Sequence, residues 1–589
     1  MSLFARDLPF GATVLDDGRT RFRLWAPNQQ NVSVEIENGG TPVPMRGDAA
    51  GWFETEVACG SDTLYRYRLG SGVAIPDPAA RAQAADVHGP SRVVDPRAYR
   101  WRNTTWRGRP WTETVLYELH AGLLGGFAGI ASALSKLQNI GVTAVELMPV
   151  NDFPGERNWG YDGVLPFAPD RAYGSPDDLK ALVDRAHDLG LMIFLDVVYN
   201  HFGPDGNYLA SYAPDFFRED LSTPWGPAID FRRNEVRRFF TENALYWLME
   251  YRFDGLRFDA VHAITEADWL DEMAAEVRRT VEPGRHVHLV LEHDGNVADH
   301  LRRDFNAQWN DDGHHVLHVI LTGENEGYYG DYAERPAEQL ARCLSEGFVY
   351  QGEPSAHRKG EPRGTPSRDL SPSAFVLFLQ NHDQIGNRAF GDRLAATVEP
   401  RALEAAIALQ LLCPQIPLIF MGEEEASTSP FQFFTDHHGE LADAVREGRR
   451  REFASFAAFS DPARRAKIPD PNAPETFERS RPQGDPKRGA ERRTLYRKLL
   501  SLRQEHVVPR LQGARSIGAQ AIGPSAVVAR WRLGDGAVLT LAANLGAQPC
   551  GLDRPPGGLI FETSHDAGAM GGGQLGGYTT LAFLEAGRG

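Results

Sequence analysis

Between residues 115 and 421 the chain repeats one pattern eight times: a short apolar run, suited to a buried strand, set among stretches of helical period. The runs fall at 115–119, 142–148, 192–198, 253–259, 287–292, 305–309, 375–380 and 418–421. Helical spacing is clearest at 130–139, 177–189, 234–249 and 267–281. Strands that are apolar on both faces belong to a parallel sheet covered by helices. Eight such units predict a closed (β/α)8 barrel of the TIM type. The units share a pattern and not a repeated sequence.

The flanks follow a different rule. Residues 21–25, 32–36, 51–57 and 65–69 alternate apolar with polar and are separated by turn residues, which predicts a small N-terminal β-sandwich. Residues 71–97, rich in Ala, Pro and Asp, read as a connector packed on the next domain. Residues 353–372 and 461–490 read as rim or surface loops, and 495–505 as a helix closing the barrel. Alternation returns at 526–531 and 537–542, predicting a C-terminal β domain. The expected α/β architecture is therefore a sandwich at 1–108, a catalytic barrel with insertions at 109–511 and a β domain at 512–589.

A net charge of −17 argues against a nucleic-acid groove, which needs clustered Lys and Arg. The four cysteines, Cys59, Cys343, Cys413 and Cys550, are too scattered for a zinc site or a disulfide scaffold, and fit a reducing compartment. No apolar run of signal-peptide length opens the chain. The most apolar stretch, 405–421, is broken by Gln410, Pro414, Gln415 and Pro417. It reads as helix, turn and buried strand and not as a membrane span. A cytoplasmic location is expected, with neither membrane nor nucleic acid as partner.

Reactive groups of a parallel barrel sit at the carboxyl ends of its strands. There the sequence places Asp196 and His201, then Arg257 and Asp259, then Glu292, then His382 and Asp383. Four acids at matching depth on different strands point to chemistry. Glycoside hydrolysis needs one carboxylate as nucleophile or base and another as proton donor. Arg257 and Asp259, two apart on a strand, point to one side, so the guanidinium can keep Asp259 ionised. Glu292 has no arginine beside it in sequence and is the better candidate for the acid. Asp383 would grip sugar hydroxyls, with His201 and His382 as hydroxyl donors. Acids with histidines can also bind divalent cations, but no H-E-x-x-H pattern supports a metal.

The strings DVVYNH, GLRFDA, LVLEH and QNHDQ, in this order, resemble the α-amylase superfamily of glycoside hydrolases. The N-terminal sandwich resembles the immunoglobulin-like, glycan-associated module of its branching and debranching members. The resemblance implies a retaining double displacement: Asp259 as nucleophile, Glu292 as general acid/base, Asp383 as transition-state stabiliser. It calls for no cofactor. Asn200 matches a position that holds calcium in many members, but the resemblance does not require the ion.

NWGYDGVLPFAP (158–169), AQWNDDGHH (307–315), FMGEEEA (420–426) and FTDHHGELADAVREGRRREF (434–453) are similar to the maltooligosyltrehalose trehalohydrolase family. The likeness implies cleavage of the α-1,4 bond next to the terminal trehalose of maltooligosyl trehalose, with other α-1,4-glucans as related ligands. It also implies a pathway partner, maltooligosyltrehalose synthase, which makes the substrate. The substrate-binding set it suggests is Tyr161, His201, Arg257, His262, Asp311, Asp312, His314, His315, His382, Gln384 and Asn387.

Trp159 and Trp309 are either sugar platforms or packing residues. The 311–315 segment either holds trehalose or caps a helix. Glu423–Glu425 suits a structural role at the rim, and the charged run 446–452 a solvated helix face. Two departures concern subsites: His293 stands where a second acid is expected after Glu292, and strand one ends ELHAGLLGGF. The rivals are a glucan branching enzyme, disfavoured by 434–453, and a non-catalytic glycan-binding protein, disfavoured by the intact acid trio.

Overall fold

The computed structural model describes residues 4–563 and 570–587, so the outermost ends of the first and last expected domains and 564–569 lie outside the described residues. The eight apolar runs form a closed parallel barrel: β1 (Leu116–Leu119), β2 (Ala144–Leu147), β3 (Met192–Val197), β4 (Gly255–Phe258), β5 (His288–Leu291), β6 (Ala307–Trp309), β7 (Phe375–Phe378) and β8 (Ile416–Phe420). Closure is by β1 on β8, with Leu116 opposite Leu418. All eight strands are buried along their whole length. That double-sided burial is why their sequences run apolar and do not alternate.

Helices coat the barrel with their apolar stripes inward. Pro176–Asp188 starts at Ser175, whose side chain accepts from the Asp178 N–H while Asp178 answers to the Ser175 N–H, a capping box with proline at N1. Gly255 in β4 is required by packing, since a Cβ there would meet the Phe194 ring at 2.2 Å. The 405–421 stretch is the helix Pro400–Leu412, a turn, then β8. Among the described residues no helix is long and apolar enough to cross a membrane.

The N-terminal segment forms two facing antiparallel sheets. One is built on Thr20–Trp25 and Trp52–Val57, the other on Val32–Ile36 and Leu64–Leu69. Phe22 of the first sheet meets Tyr65 of the second edge to face, 4.8 Å between centroids. The C-terminal segment is a five-stranded antiparallel sheet with Thr579–Glu585 between Val538–Asn544 and Gly558–Glu562. It is tied to the barrel helices through Thr580, which donates to Ala405 O, and Trp531, which donates to Leu344 O.

Two hairpins over the barrel were not foreseen: Asn151–Asp152 with Leu165–Pro169, and Phe217–Thr223 with Gly226–Ile229. The first is too short, and the second too polar, for strand alternation to register. The loop-like 461–490 region carries two short helices, Pro462–Arg465 and Pro474–Arg479, each with proline in its first turn.

The connector 71–97 does more than link. Its Arg81 is buried at the seam, donating to Ala12 O at 2.9 Å and Arg6 O at 2.9 Å and pairing with Glu250 of the barrel at 3.3 Å. Lys180 is the next cation, 3.9 Å from Glu250. Removing one member of a buried pair leaves an uncompensated charge, which costs about 3–5 kcal/mol. Arg81→Met is therefore expected to lower stability by about 3 kcal/mol, read as a shift in the urea midpoint. An unchanged midpoint contradicts the account of the seam.

Candidate active site

Arg257 of β4 is fully buried and organises the carboxyl end of the barrel. Its Nη1 pairs with Asp196 Oδ2 at 2.6 Å and with Asp259 Oδ1 at 2.9 Å, and its Nη2 pairs with Glu292 Oε2 at 2.8 Å. The guanidinium plane lies over Trp309, 4.2 Å from the ring centroid. A planar fork with several fixed donors suits this task, and a lysine would not. Asp259 and Glu292 are paired with sister nitrogens of one rigid group, so the paired oxygens lie within about 8 Å of each other.

Glu292 has no arginine beside it in sequence but has one in space. β4 and β5 are neighbours in the sheet, and the Arg257 side chain reaches across. What separates the two carboxyls is the rest of their surroundings. Asp259 accepts on both oxygens, Oδ1 from Arg257 and Oδ2 from Asn200 at 2.8 Å. Glu292 accepts from the Ala260 N–H at 2.8 Å on Oε2, the same oxygen that pairs with Arg257. No hydrogen bond among the described residues engages its Oε1. Ala260 sits in the left-handed region, φ 39°, and that turn aims its N–H at Glu292.

Asp383 approaches from another side, in the first turn of the short helix His382–Gly386, capped by Asn381. Asn387 donates to Asp383 Oδ1 at 3.2 Å, and His382 Nε2 lies 3.5 Å from the same oxygen. The trio keeps contact with solvent: side-chain exposure is 11% for Asp259, 16% for Glu292 and 34% for Asp383. Asp196 is buried, and burial pushes its carboxyl up to about 7 against the pull of Arg257. It accepts from the Tyr161 hydroxyl at 2.6 Å. The Tyr161 ring in turn lies parallel to His382, 5.0 Å between centroids.

Other expected contacts divide. Asp311 is partly exposed at the rim, and burial together with the Glu292 charge pushes its carboxyl well above the carboxylate range. His262 is exposed, 6.1 Å from the His293 ring. Gln384 accepts from the Tyr328 hydroxyl at 3.3 Å. His201 has both ring nitrogens engaged, Nε2 with Tyr161 O at 2.9 Å and Nδ1 with Asn200, so its expected role as a hydroxyl donor is corrected to that of a bracket.

Asp312 and His314 are not free to meet a ligand. Asp312 is fully buried and accepts from Asn296, Tyr332, Val349 N and Tyr350 N, and Arg363 pairs with it at 3.1 Å. His314 engages Leu379 O and Tyr329. His315 is buried, its ring 4.6 Å from that of Tyr328. The helix cap at this point is Asn310, accepting from Gly313 N–H. Trp159 and Trp309 are buried and are packing residues, not sugar platforms. Glu423 and Glu424 are buried and accept from Tyr496 and Tyr117, as a structural role requires.

The helix Gly439–Glu452 is not simply a solvated face. Its Arg449 is buried and donates to Gly386 O at 2.6 Å and Arg388 O at 3.2 Å, at the carboxyl end of the Asp383 helix. Just before it, Asp436 accepts from Glu156 N and pairs with Arg157, and His437 lies 3.5 Å from Asp162. The 434–453 string thus braces both the Asp383 helix and the Tyr161 loop. Three further residues went unnoticed in sequence. Trp225, 45% exposed on the second hairpin, stacks over His201 at 5.2 Å; Glu118 and Glu146 lie inside the barrel at the ends of β1 and β2. Their strand-end position was a usable signal for the two acids. An isolated hairpin tryptophan carries none. Among the described residues no group of three or more His, Cys, Asp or Glu could hold a metal ion.

Comparison with known proteins agrees with this layout. Residues 90–220 match the α-amylase catalytic domain, residues 9–77 match carbohydrate-binding module 48 (isoamylase N-terminal domain), and residues 514–581 match a domain of unknown function, DUF3459. A putative α-amylase structure from Salmonella typhimurium superposes with a TM-score of 0.92 at 44% identity, covering 98% of this chain and 100% of that one. A glucan branching enzyme from a Jannaschia species is 32% identical over 44% of this chain and 41% of its own length. The malto-oligosyltrehalose trehalohydrolase of Deinococcus radiodurans is 44% identical over 85% of this chain and 83% of its own. A likeness of that extent, spanning the barrel acids and the 434–453 brace alike, makes the chain a member of the malto-oligosyltrehalose trehalohydrolase family.

Proposed function

We propose that the chain cleaves the α-1,4-glucosidic bond next to the terminal trehalose of maltooligosyl trehalose, with retention of configuration. The observation that carries this reading is the pair Asp259 and Glu292, held by one guanidinium at the open end of the barrel. Asp259, with donors on both oxygens, attacks the anomeric carbon as a carboxylate. Glu292 gives the proton on its free oxygen to O4 of the departing trehalose. A glucosyl ester on Asp259 results. Glu292 then takes a proton from water, which attacks the same carbon and frees the shortened maltooligosaccharide. Asp383 accepts from ring hydroxyls and favours the flattened transition state.

Tyr161, His382, Asp311, His262, Gln384 and Asn387 are proposed as groove contacts. The solvent-facing Trp225 ring offers a pyranose a flat surface. Domain divisions at 108/109 and 511/512 suit the sheets and the brace. A synthase that builds the trehalose end would supply the substrate. A cytoplasmic setting is supported by four free cysteines, two of them buried.

Incubation with maltooligosyl trehalose is expected to release trehalose, detected by chromatography; branch points formed in amylose, without trehalose, would favour the branching reading. Asp259→Asn and Glu292→Gln should each lower kcat by about 10³-fold with thermal unfolding little changed. Near wild-type turnover in either variant rejects the role given to that residue. Arg449→Met, which unties the Asp383 helix without touching substrate, should lower kcat by roughly tenfold, since misplacement of a reacting group is costly. An unaltered kcat would make the brace a matter of stability alone.

A further inference from the structure

Glu118 closes β1 inside the barrel, 1% exposed, and no step above uses it. Both of its carboxylate oxygens go to one residue. Oε1 lies 2.5 Å from His382 Nδ1, and Oε2 accepts the His382 backbone N–H at 3.0 Å. Ring and main chain of His382 are thus gripped together, at the first residue of the helix that carries Asp383. Tyr161 covers one face of the imidazole, and Trp159 meets it edge-on at 5.5 Å. The ring can only look outward along Nε2, toward Asp383 Oδ1 at 3.5 Å.

The geometry assigns Glu118 as a positioning residue: its carboxylate keeps His382 a doubly protonated, fixed imidazolium whose Nε2–H is aimed at Asp383 and at the hydroxyls of the ring being cleaved. This rests on the hydrolase reading above.

The charges around the imidazole favour that state. Facing it are Glu118 from β1, Glu146 from β2, Arg257 from β4, Asp383 from its own helix, and His120 beyond the end of β1. Burial alone lowers an imidazole. Here the Glu118 charge and then that of Asp383 outweigh burial and the opposing Arg257, and push His382 up to about 9. Glu146, opposite Glu118 in register, is pushed well above the carboxylate range by burial and then by Glu118. His120 is pushed down to about 4 by burial and adds no positive charge. Of the two carboxylates that act on the imidazole, Glu118 has the larger effect and also the direct bond. A charge-assisted bond from an imidazolium is stronger than one from a neutral ring, and a neutral ring with its proton on Nδ1 would leave Nε2 with nothing to donate.

The test is the ratio of kcat for Glu118→Gln to that of wild type, on maltooligosyl trehalose, from about pH 5 to pH 8. The ratio cancels any ionisation the two enzymes share. With the counter-charge gone, His382 should titrate below neutrality. The ratio should then fall about tenfold across this range, with the variant closest to wild type at the acid end. Glu118→Asp, which keeps the charge, should show a flat ratio. A flat ratio in Glu118→Gln, at any level, overturns the assignment and leaves Glu118 as packing only. Neutron diffraction of the wild-type crystal at about pH 8 supplies a readout that needs no variant to fold. Deuterium on both His382 nitrogens is expected, and on one only would contradict the proposal. Failure of wild type to release trehalose is a separate result, which removes the functional reading instead.

Discussion

The arrangement turns on a single buried cation shared among three acids. Arg257 is out of water, stacked over Trp309, bonded to Asp196 and Asp259 and ion-paired with Glu292. Three carboxylates this close would repel one another and could not all ionise without it. With it, two of them stand side by side at the groove, each with a different set of remaining partners. A catalytic pair of this kind needs one member charged and the other able to carry a proton. The two carboxyls differ in where their donors fall: on both oxygens of Asp259, on one of Glu292.

Around this centre the site is assembled from elements far apart in sequence, each fixed by buried polar contacts. Glu118 on β1 grips His382, and Arg449 closes the far end of the same short helix. The Tyr161 loop is held by Asp196 below and by the Asp436–His437 turn alongside. Buried polar groups without partners are costly, so each bond made here resists displacement. Together these contacts hold the three acids on a rigid scaffold, which proximity and orientation effects demand.

The barrel was legible because double-sided burial leaves continuous apolar runs, which few other architectures need. The acids were legible because they interrupt those runs at one end. What stayed hidden depends on contacts across strands or between loops. The i, i+2 spacing marks Arg257 as the neighbour of Asp259, yet its ion pair with Glu292 crosses to the next strand and leaves no mark in local sequence. Asp312 and His314 looked like ligand-binding residues because polar groups after a barrel strand so often are, but their partners come from 296, 329, 332, 349 and 379. Arg449, in a highly charged helix, gave no sign that it alone of its neighbours turns inward.

The central claim is that Asp259 and Glu292 are close enough for direct attack and not separated by a water. The stereochemistry of the first product reports that distance, because retaining sites hold their carboxyls roughly 5–5.5 Å apart and inverting sites further. The measurement is proton NMR of the anomeric signals during early cleavage of maltooligosyl trehalose, before mutarotation. The new reducing end should appear first as the α-anomer; first appearance of the β-anomer would contradict the account.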